Sequence, residues 1–540
     1  MNDRYAEHYR RFQWTIPAVF NIGEAVLSGK DPQAVAVWDV ADDLTTRRYT
    51  FGDLAQDARR LANVYQSLGV EPGDRIGILL SQSVELVVSH IAAYLVGAIA
   101  VPLFALFGED AITYRVNDAG CRILVADGMD WPRLAPIRDQ WSTVHHIILT
   151  RQPDGPAENT LLWDTLLTGA SDRFNPRPTG ADDPAVIIYT SGTTGSPKGA
   201  LHAHRVLLGH LPGVVMPHQQ FPQPGDVMWT PADWAWIGGL LDVLLPSLYA
   251  GVPVVAFRPR KFDPERTLDL LQRLPIRNVF FPPTALRLLR TYTDRPRDGV
   301  ALRTLASGGE SLGADMIDWI RRVFGVTPAE FYGQTEANLL VANAPDIFPP
   351  TPGSMGRPVW GHDIRIVQEN GEEAPIGEVG EITVTLPDPV AFLHYWNRPE
   401  ATEAKTAGGR VHTGDLGRQD ERGYLYFVGR VDDVINSSGY RIGPTEIESV
   451  IASHPAVALN AVVGKPDPIR GEIVKAFIVP TTPTIDRDRV AREIQDMVRK
   501  RLGAHEYPRE IEFVDTLPMT TTGKIQRNVL RQRESARKPS

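Results

Sequence analysis

Cysteine is almost missing from this chain: Cys121 is the single one in 540 residues. One thiol excludes an internal disulfide and every cysteine-rich metal site, and it suits a reducing compartment. The 13 histidines are scattered without an HxxxH spacing, so zinc has no ligand set either. Positive charge is also short, with 56 Lys and Arg against 65 Asp and Glu and a formal net charge of -9. That balance gives no general attraction to nucleic acid or an anionic membrane, so any polyanion bound must be small and locally accommodated. Uninterrupted apolar runs are scarce. The stretch 86–107, LVVSHIAAYLVGAIAVPLFALF, is long enough to span a bilayer but is broken by His90, Gly97 and Pro102. It reads better as a buried helix handing over to a buried strand. The opening MNDRYAEHYRRFQW lacks a signal-peptide core and carries acids that transit peptides avoid, so the expected compartment is the cytoplasm.

What remains is an ordinary globular composition, 43% apolar and 22% charged. The length exceeds what one core organises, which implies a large unit with subdivisions plus a smaller domain. The runs RIGILL, CRILVA, HHIILT, PAVIIYT, GVPVVAF, RNVFF and LRTLAS alternate with amphipathic stretches, the signature of parallel strands with crossover helices. The expected fold class is therefore α/β over the first two-thirds, where ligands collect at the carboxyl ends of strands. After about Gly353, EVGEITVTL, RVHTGDLG and GYLYFVGR suggest a small β-rich subdomain. Beyond Asp432 the pattern helix, strand, strand, helix, strand outlines a compact α+β domain of about 110 residues. The boundaries expected are 1–431 and 432–540, and the basic RQRESARKPS is the one tail-like piece.

Between the apolar run PAVII and the following segment lies YTSGTTGSPKG, 189–199. A Gly, Ser and Thr-rich turn after a buried strand exposes N–H groups and hydroxyls to phosphate oxygens, and a lysine adds mobile positive charge. A flexible surface loop would use the same residues. The string is not a P-loop, because Pro197 and Gly199 flank Lys198 where that pattern needs Gly-Lys-Ser/Thr. It resembles the phosphate-loop signature of the AMP-forming acyl-CoA synthetases, in the adenylate-forming superfamily that also contains luciferases and peptide-synthetase adenylation domains. Further strings resemble that family's motifs in order: SGGES (307–311), EFYGQTE (330–336), HTGDLG around Asp415, GRVDDVINSSGYRIGPTEIE (429–448) and TTTGKIQR around Lys524. The resemblance covers about residues 30 to 530 and implies the same α/β and α+β architecture, with a mobile C-terminal domain.

The resemblance implies a role for each matched position. Thr190, Ser191, Gly192, Thr193, Thr194, Gly195 and Lys198 would surround the phosphates of ATP. Gly309, Glu310, Glu330, Tyr332, Gly333, Gln334 and Thr335 would lie along the nucleotide. Asp415 would accept hydrogen bonds from both ribose hydroxyls, suited to a carboxylate with two acceptor oxygens, and Arg430 and Arg441 would contact the ribose and phosphate side. Glu336 would be the protein ligand of Mg²⁺, a cation that keeps several waters. Lys524 would offset charge as the acyl-adenylate forms. A lysine so placed obstructs an incoming thiol, which the family solves by rotating the small domain about a hinge; Asp432 matches it. Ser438, Gly439 and Tyr440 resemble the loop lining the pantetheine path, and Arg470, Tyr507, Pro508 and Arg509 fall where medium-chain synthetases contact coenzyme A. His202 and His204 have no role in this chemistry and read as helix-entry residues.

Acetyl-CoA synthetases generally carry tryptophan at the position of Gly333, closing the acyl pocket. The glycine therefore suggests an open pocket and the medium-chain branch. A linear or branched acid of about four to ten carbons is expected, with an aryl acid as an alternative. Phe280, Phe281, Pro282 and Pro283 would line one wall or belong to the core. Ala337-Asn338 departs from the frequent Thr-Gly of the family and leaves the adjoining wall open to either reading. Other functions consistent with the motifs are loading of a carrier-protein arm, a luciferase-like oxygenase, and a nucleotide-sensing protein without turnover. Intact Lys524, Asp415 and Glu336 speak against the last.

Overall fold

A computed structural model describes residues 3–190, 196–257, 259, 261–310, 312–437, 440–468, 470–502, 506–520 and 524–536. The chain divides into two compact units, one of residues 1–350, 356–363 and 385–411, the other of 351–355, 364–384 and 412–540. The expected cut at Asp432 falls inside the second unit, because 364–384 and 412–431 group with the C-terminal residues.

The first unit contains two large sheets among its described residues. One runs, in spatial order, His394–Tyr395, Lys198–Ala203, Pro184–Thr190, Ile99–Pro102, Arg75–Leu79, Cys121–Ala126, His146–Leu149 and Leu161–Leu162. Its interior pairs are parallel, whereas Pro184–Thr190 and Lys198–Ala203 form an antiparallel hairpin with Thr190 opposite Lys198. The strand cores are fully buried and read as continuous β-branched and aliphatic runs, as parallel strands covered on both faces do. The second sheet places Ala329–Gln334 between Thr304–Gly308, parallel to it, and Ala337–Ala342, antiparallel to it. Trp229, Phe281, Trp319 and Phe324 fill the core on one of its faces.

The apolar stretch from Leu86 resolves as the sequence implies. Ser83 caps helix Val84–Leu95 by accepting a hydrogen bond from the Leu86 N–H, Gly97 takes a left-handed φ of 76°, and strand Ile99–Pro102 follows. Twelve residues are too few for a bilayer, which needs about 20, and no helix among the described residues is long and apolar enough to cross one.

The second unit holds a sheet of Ile364–Val367, Gly380–Thr385, Arg410–Gln419 and Leu425–Arg430. It also holds a mixed sheet centred on Gly471–Pro480, which pairs antiparallel with Val457–Asp467 and parallel with Glu510–Phe513. Helices Pro444–Ala452 and Arg487–Arg501 cover this sheet through Ile447, Ile451, Val490, Ile494 and Val498. The strand and helix order expected beyond Asp432 is present, and helix Arg527–Ala536 follows it.

Candidate active site

In the first unit, residues 191–195 lie outside the described residues, and with them the expected contributions of Ser191, Gly192, Thr193, Thr194 and Gly195. Their anchors are described. Thr190 and Lys198 close the hairpin on either side. Strand His394–Tyr395 adds to its outer edge, and the Trp396 N–H donates to the Gly199 carbonyl at 2.7 Å. The Trp396 indole and the Arg398 guanidinium both bind Asp118, through its carbonyl at 3.1 Å and its carboxylate at 3.0 Å, and the Tyr189 hydroxyl donates to the same carboxylate at 2.8 Å. The carboxylate in turn raises the Arg398 pKa. One helix-terminal aspartate thus ties the first hairpin strand, at Tyr189, to the residues that follow the added edge strand.

Strand Ala329–Gln334 carries the next group. Glu330 accepts the Leu312 N–H at 2.9 Å, and Gln334 accepts a hydrogen bond from the Lys405 ammonium at 2.6 Å. Gly309 sits at φ 95° just past strand Thr304–Gly308, a conformation that favours glycine. Glu310 forms an ion pair with Arg287. Tyr332 faces Val341 in the antiparallel neighbour.

The Thr335 carbonyl is held by the His202 ring Nε2 at 2.8 Å. A carbonyl can only accept, so the His202 ring carries a proton on Nε2. Burial pushes its pKa down to about 4, against the smaller opposing effect of that hydrogen bond. His202 lies within strand Lys198–Ala203, not at a helix entry; His204 does precede the helix that starts at Val206.

Glu336 is buried at 8% exposure, and one of its oxygens, Oε1, accepts a hydrogen bond from the Tyr395 hydroxyl. The Lys198 ammonium lies 5.1 Å from the centre of the same tyrosine ring. Tyr395 therefore bridges Lys198, which follows the expected phosphate loop, and the carboxylate of the Gln334-Thr335-Glu336 turn. Oε2 of Glu336 has no hydrogen-bond partner among the described residues. A buried carboxylate with one oxygen fixed and the other uncommitted fits a hard cation that takes most of its ligands from phosphate and water. No cluster of three or more metal-ligating side chains exists among the described residues.

Gly333 corrects an expectation. A Cβ built there would stand 2.5 Å from the Asn338 Oδ1, 2.5 Å from the Leu339 nitrogen and 2.7 Å from the Asn338 Cα. The room left by the missing side chain is filled by the Asn338-Leu339 backbone, so Gly333 is needed for close approach at the irregular pairing between Tyr332 and Gln334. It does not by itself open a cavity. Phe280 packs on Phe331 with ring centres 5.1 Å apart, while Phe281 is wholly buried in the sheet core.

In the second unit, Asp415 is buried at 5% exposure in strand Arg410–Gln419, directly opposite Arg430. The Arg430 Nη1 donates to Asp415 Oδ1 at 3.2 Å. Gly414, at φ 74°, turns its N–H onto Glu381 Oε1 at 2.8 Å, and the other Glu381 oxygen lies 2.8 Å from His412 Nδ1. Thr413 donates to the Ile382 carbonyl and accepts the Asp415 N–H, completing a loop with few free torsions. Asp432 lies in the short turn Val431–Asp433, whose carbonyl and carboxylate groups bind Arg531.

Arg441 and Tyr440 lie on strand Tyr440–Ile442, antiparallel to Ile435–Ser437; Ser438 and Gly439 lie outside the described residues. The Arg470 N–H donates to Asp467 at 2.8 Å. Tyr507, Pro508 and Arg509 form one small cluster: Arg499 covers the Tyr507 ring at 4.2 Å, Gln495 donates to the Pro508 carbonyl at 3.0 Å, and the Arg509 N–H bonds the Val474 carbonyl at 2.8 Å. The side chain of Lys524 is exposed, but its backbone is held by reciprocal bonds with Thr520, at 3.1 and 2.7 Å. Sequence reasoning missed Tyr395, His202, Asp118 and Glu381. Each acts on a residue distant in the chain.

The AMP-binding enzyme model matches residues 27–396, and the AMP-binding enzyme C-terminal domain model matches residues 446–524. The chain is 35% identical over 550 residues to acyl-coenzyme A synthetase ACSM4, mitochondrial, of Rattus norvegicus, covering 98% of this chain and 93% of that protein. It is 33% identical over 558 residues to the acetyl-coenzyme A synthetase of Bacillus subtilis (strain 168), covering 98% and 94%. Among solved structures, the anthranilate CoA ligase AuaEII in complex with anthranoyl-AMP superposes with a TM-score of 0.87 at 28% identity, covering 96% of this chain and 98% of that one.

Proposed function

The chain belongs to the AMP-binding enzyme family and is an AMP-forming acyl-CoA synthetase; from that premise we propose a substrate class and the residues that act on it. The carboxylic acid is one of about four to ten carbons, linear or branched, held against an apolar wall that includes Phe280. ATP, the acid and coenzyme A are consumed and acyl-CoA, AMP and pyrophosphate are released. The names of relatives mention acetyl and anthranilate chemistry as well as acyl groups generally, so they do not select an acid.

In the first half-reaction a carboxylate oxygen attacks the α-phosphate of ATP and pyrophosphate departs. Lys198 and the hydroxyls of the phosphate loop hold the β- and γ-phosphates, while Asp415 and Arg430 hold the ribose. Lys524 brings positive charge to the carboxylate and α-phosphate, where negative charge gathers. Glu336 would hold Mg²⁺, which neutralises phosphate charge when bound. In the second half-reaction the coenzyme A thiol attacks the acyl carbonyl and AMP leaves as a nucleotide. Ser438, Gly439, Tyr440, Arg470, Tyr507, Pro508 and Arg509 would guide the coenzyme, with Asp432 as the hinge between the two steps. The cytoplasm is the proposed compartment, consistent with the buried free thiol of Cys121.

The Tyr395–Glu336 pairing beside Lys198 carries the nucleotide part of this reading, because it joins the segment after 191–195 to the acidic turn with one carboxylate oxygen uncommitted, while the chain length is proposed from the apolar wall at Phe280 and Phe331. The test is pyrophosphate release with Mg²⁺, ATP and acids from acetate to decanoate plus benzoate, with and without coenzyme A. Acid-dependent turnover that requires coenzyme A and peaks between butyrate and decanoate is expected. A peak at acetate or benzoate would overturn the chain-length assignment, and a single burst indifferent to coenzyme A would point to a carrier-protein acceptor.

A further inference from the structure

Helix 237–250 contains one irregular turn. Over Leu240–Leu244 the Leu245 N–H bonds the Leu240 carbonyl five residues back, an i to i−5 pattern that widens the helix. Such turns cost helix regularity and recur at functional sites. At its centre stands Asp242, 4% exposed among leucines and valine.

A carboxyl group in that setting needs partners, and it has one. The Asn338 Nδ2 donates to Asp242 Oδ1 at 2.6 Å. Asp242 Oδ2 has none among the described residues. The unmatched oxygen faces glycine: a Cβ built at Gly238 would lie 3.4 Å from it and 3.1 Å from the Phe280 ring. Gly238 is only half-buried, as is Gly333, where a built Cβ would lie 2.5 Å from the Asn338 carboxamide oxygen. Phe280, Gly238, Asp242, Asn338 and Gly333 thus form a continuous wall, polar in its middle.

We propose that Asp242, oriented by Asn338, is a specificity-determining residue that selects carboxylic acids carrying a hydrogen-bond donor, a hydroxyl or an amino group, on the acyl chain. The proposal rests on the reading that Phe280 and the 333–338 segment border the acyl group. A plain hydrocarbon laid against this wall leaves the buried carboxyl oxygen unmatched, whereas a donor on the substrate satisfies it. Sites built to hydrogen-bond a substrate group reject the analogue lacking it far more strongly than apolar pockets reject a change of length. Burial raises the Asp242 pKa well above the usual carboxylate value. The empty site therefore favours the neutral acid, with its proton on Oδ2 because Oδ1 accepts from Asn338; an entering ammonium group displaces that proton, and a hydroxyl, which both donates and accepts, pairs with either form.

The test is AMP formation by the full-length protein with coenzyme A, using butyrate, hexanoate, decanoate and dodecanoate, each plain and with a hydroxyl or amino group placed at successive carbons. The parent should turn over at least one donor-bearing acid with kcat/KM about tenfold or more above its plain counterpart. Asp242→Leu, similar in size without polar atoms, should reduce that ratio about tenfold and leave the KM for ATP unchanged. Asp242→Asn, the more conservative variant, separates the two donors, because it keeps an acceptor for a hydroxyl but loses the charge an ammonium needs. A parent that prefers the plain acid at every length overturns the proposal, as does a ratio unchanged in Asp242→Leu. A plain acid of four to ten carbons winning would sink the donor subsite and leave the chain-length reading standing. A donor-bearing dodecanoate winning would do the reverse.

Discussion

Lys524 is exposed and, among the described residues, held through its backbone, so its replacement tests chemistry with little structural cost. Lys524→Ala should lower acid-dependent pyrophosphate release about a hundred- to a thousandfold, while thioester formation from a supplied acyl-adenylate falls far less. Equal losses in the two half-reactions would remove the lysine from the adenylation step. Gly333 illustrates the opposite case, a residue whose smallness serves the fold. Gly333→Ala meets backbone within 2.7 Å and should cost about 1–3 kcal/mol of stability, read from the urea midpoint. A fully stable Gly333→Ala would restore the idea of open space there. The motif legible in the sequence identified this position, but the sequence could not tell an enlarged pocket from a close backbone approach. The atoms that decide it belong to Asn338 and Leu339.

At the scale of elements, the phosphate-loop hairpin and the strand before Glu336 are joined by side chains that neither motif contains. Tyr395, on the added edge strand, fixes one oxygen of Glu336 and places its ring beside Lys198. Tyr395→Phe should raise the Mg²⁺ concentration for half-maximal activity about tenfold, as loss of a ligand's supporting hydrogen bond commonly does. An unchanged Mg²⁺ dependence would make the contact purely structural. In the other unit, Glu381 on strand Gly380–Thr385 holds the Gly414 N–H and so the turn that presents Asp415. Glu381→Gln keeps an acceptor and should leave the KM for ATP within about twofold, whereas Glu381→Ala should raise it about tenfold with kcat less affected. Identical behaviour of the two variants would exclude this positioning role. The strands themselves were legible as β-branched runs. Their pairing was not, because Glu336 meets Tyr395 across 59 residues of chain.

For the whole molecule, acid sensitivity follows from the first unit. Burial holds the imidazoles of His202 and His204 down at about 4, and those of His90, His210 and His218 down at about 3. In the unfolded chain each titrates near 6.5. The unfolded chain thus binds more protons than the folded one between those values. The stability these groups contribute is complete above about pH 6.5 and is lost as pH falls toward 4 for His202 and His204 and toward 3 for the other three, each adding about 1.4 kcal/mol per pH unit to the slope. The urea midpoint should be flat above pH 7 and fall between pH 6.5 and 5, before most carboxylates titrate, with a shallower fall in His218→Gln. A midpoint constant across that window would show that these histidines protonate without unfolding.

The sequence by itself determined the alternation of buried strands and amphipathic helices, the family and the order of its nucleotide motifs, because hydrophobic period and turn chemistry are local. It also places Asp415, Glu336 and Lys524 at positions that match the family's motifs. Tertiary structure alone decided that His202 serves a strand and a distant carbonyl, that Gly333 is filled by neighbouring backbone, and that residues 412–431 group with the C-terminal unit. It alone placed an unmatched carboxyl, Asp242, beside Gly238 and Phe280. Those facts depend on which atoms meet across long separations in the chain, and close packing settles that only when the whole unit has formed.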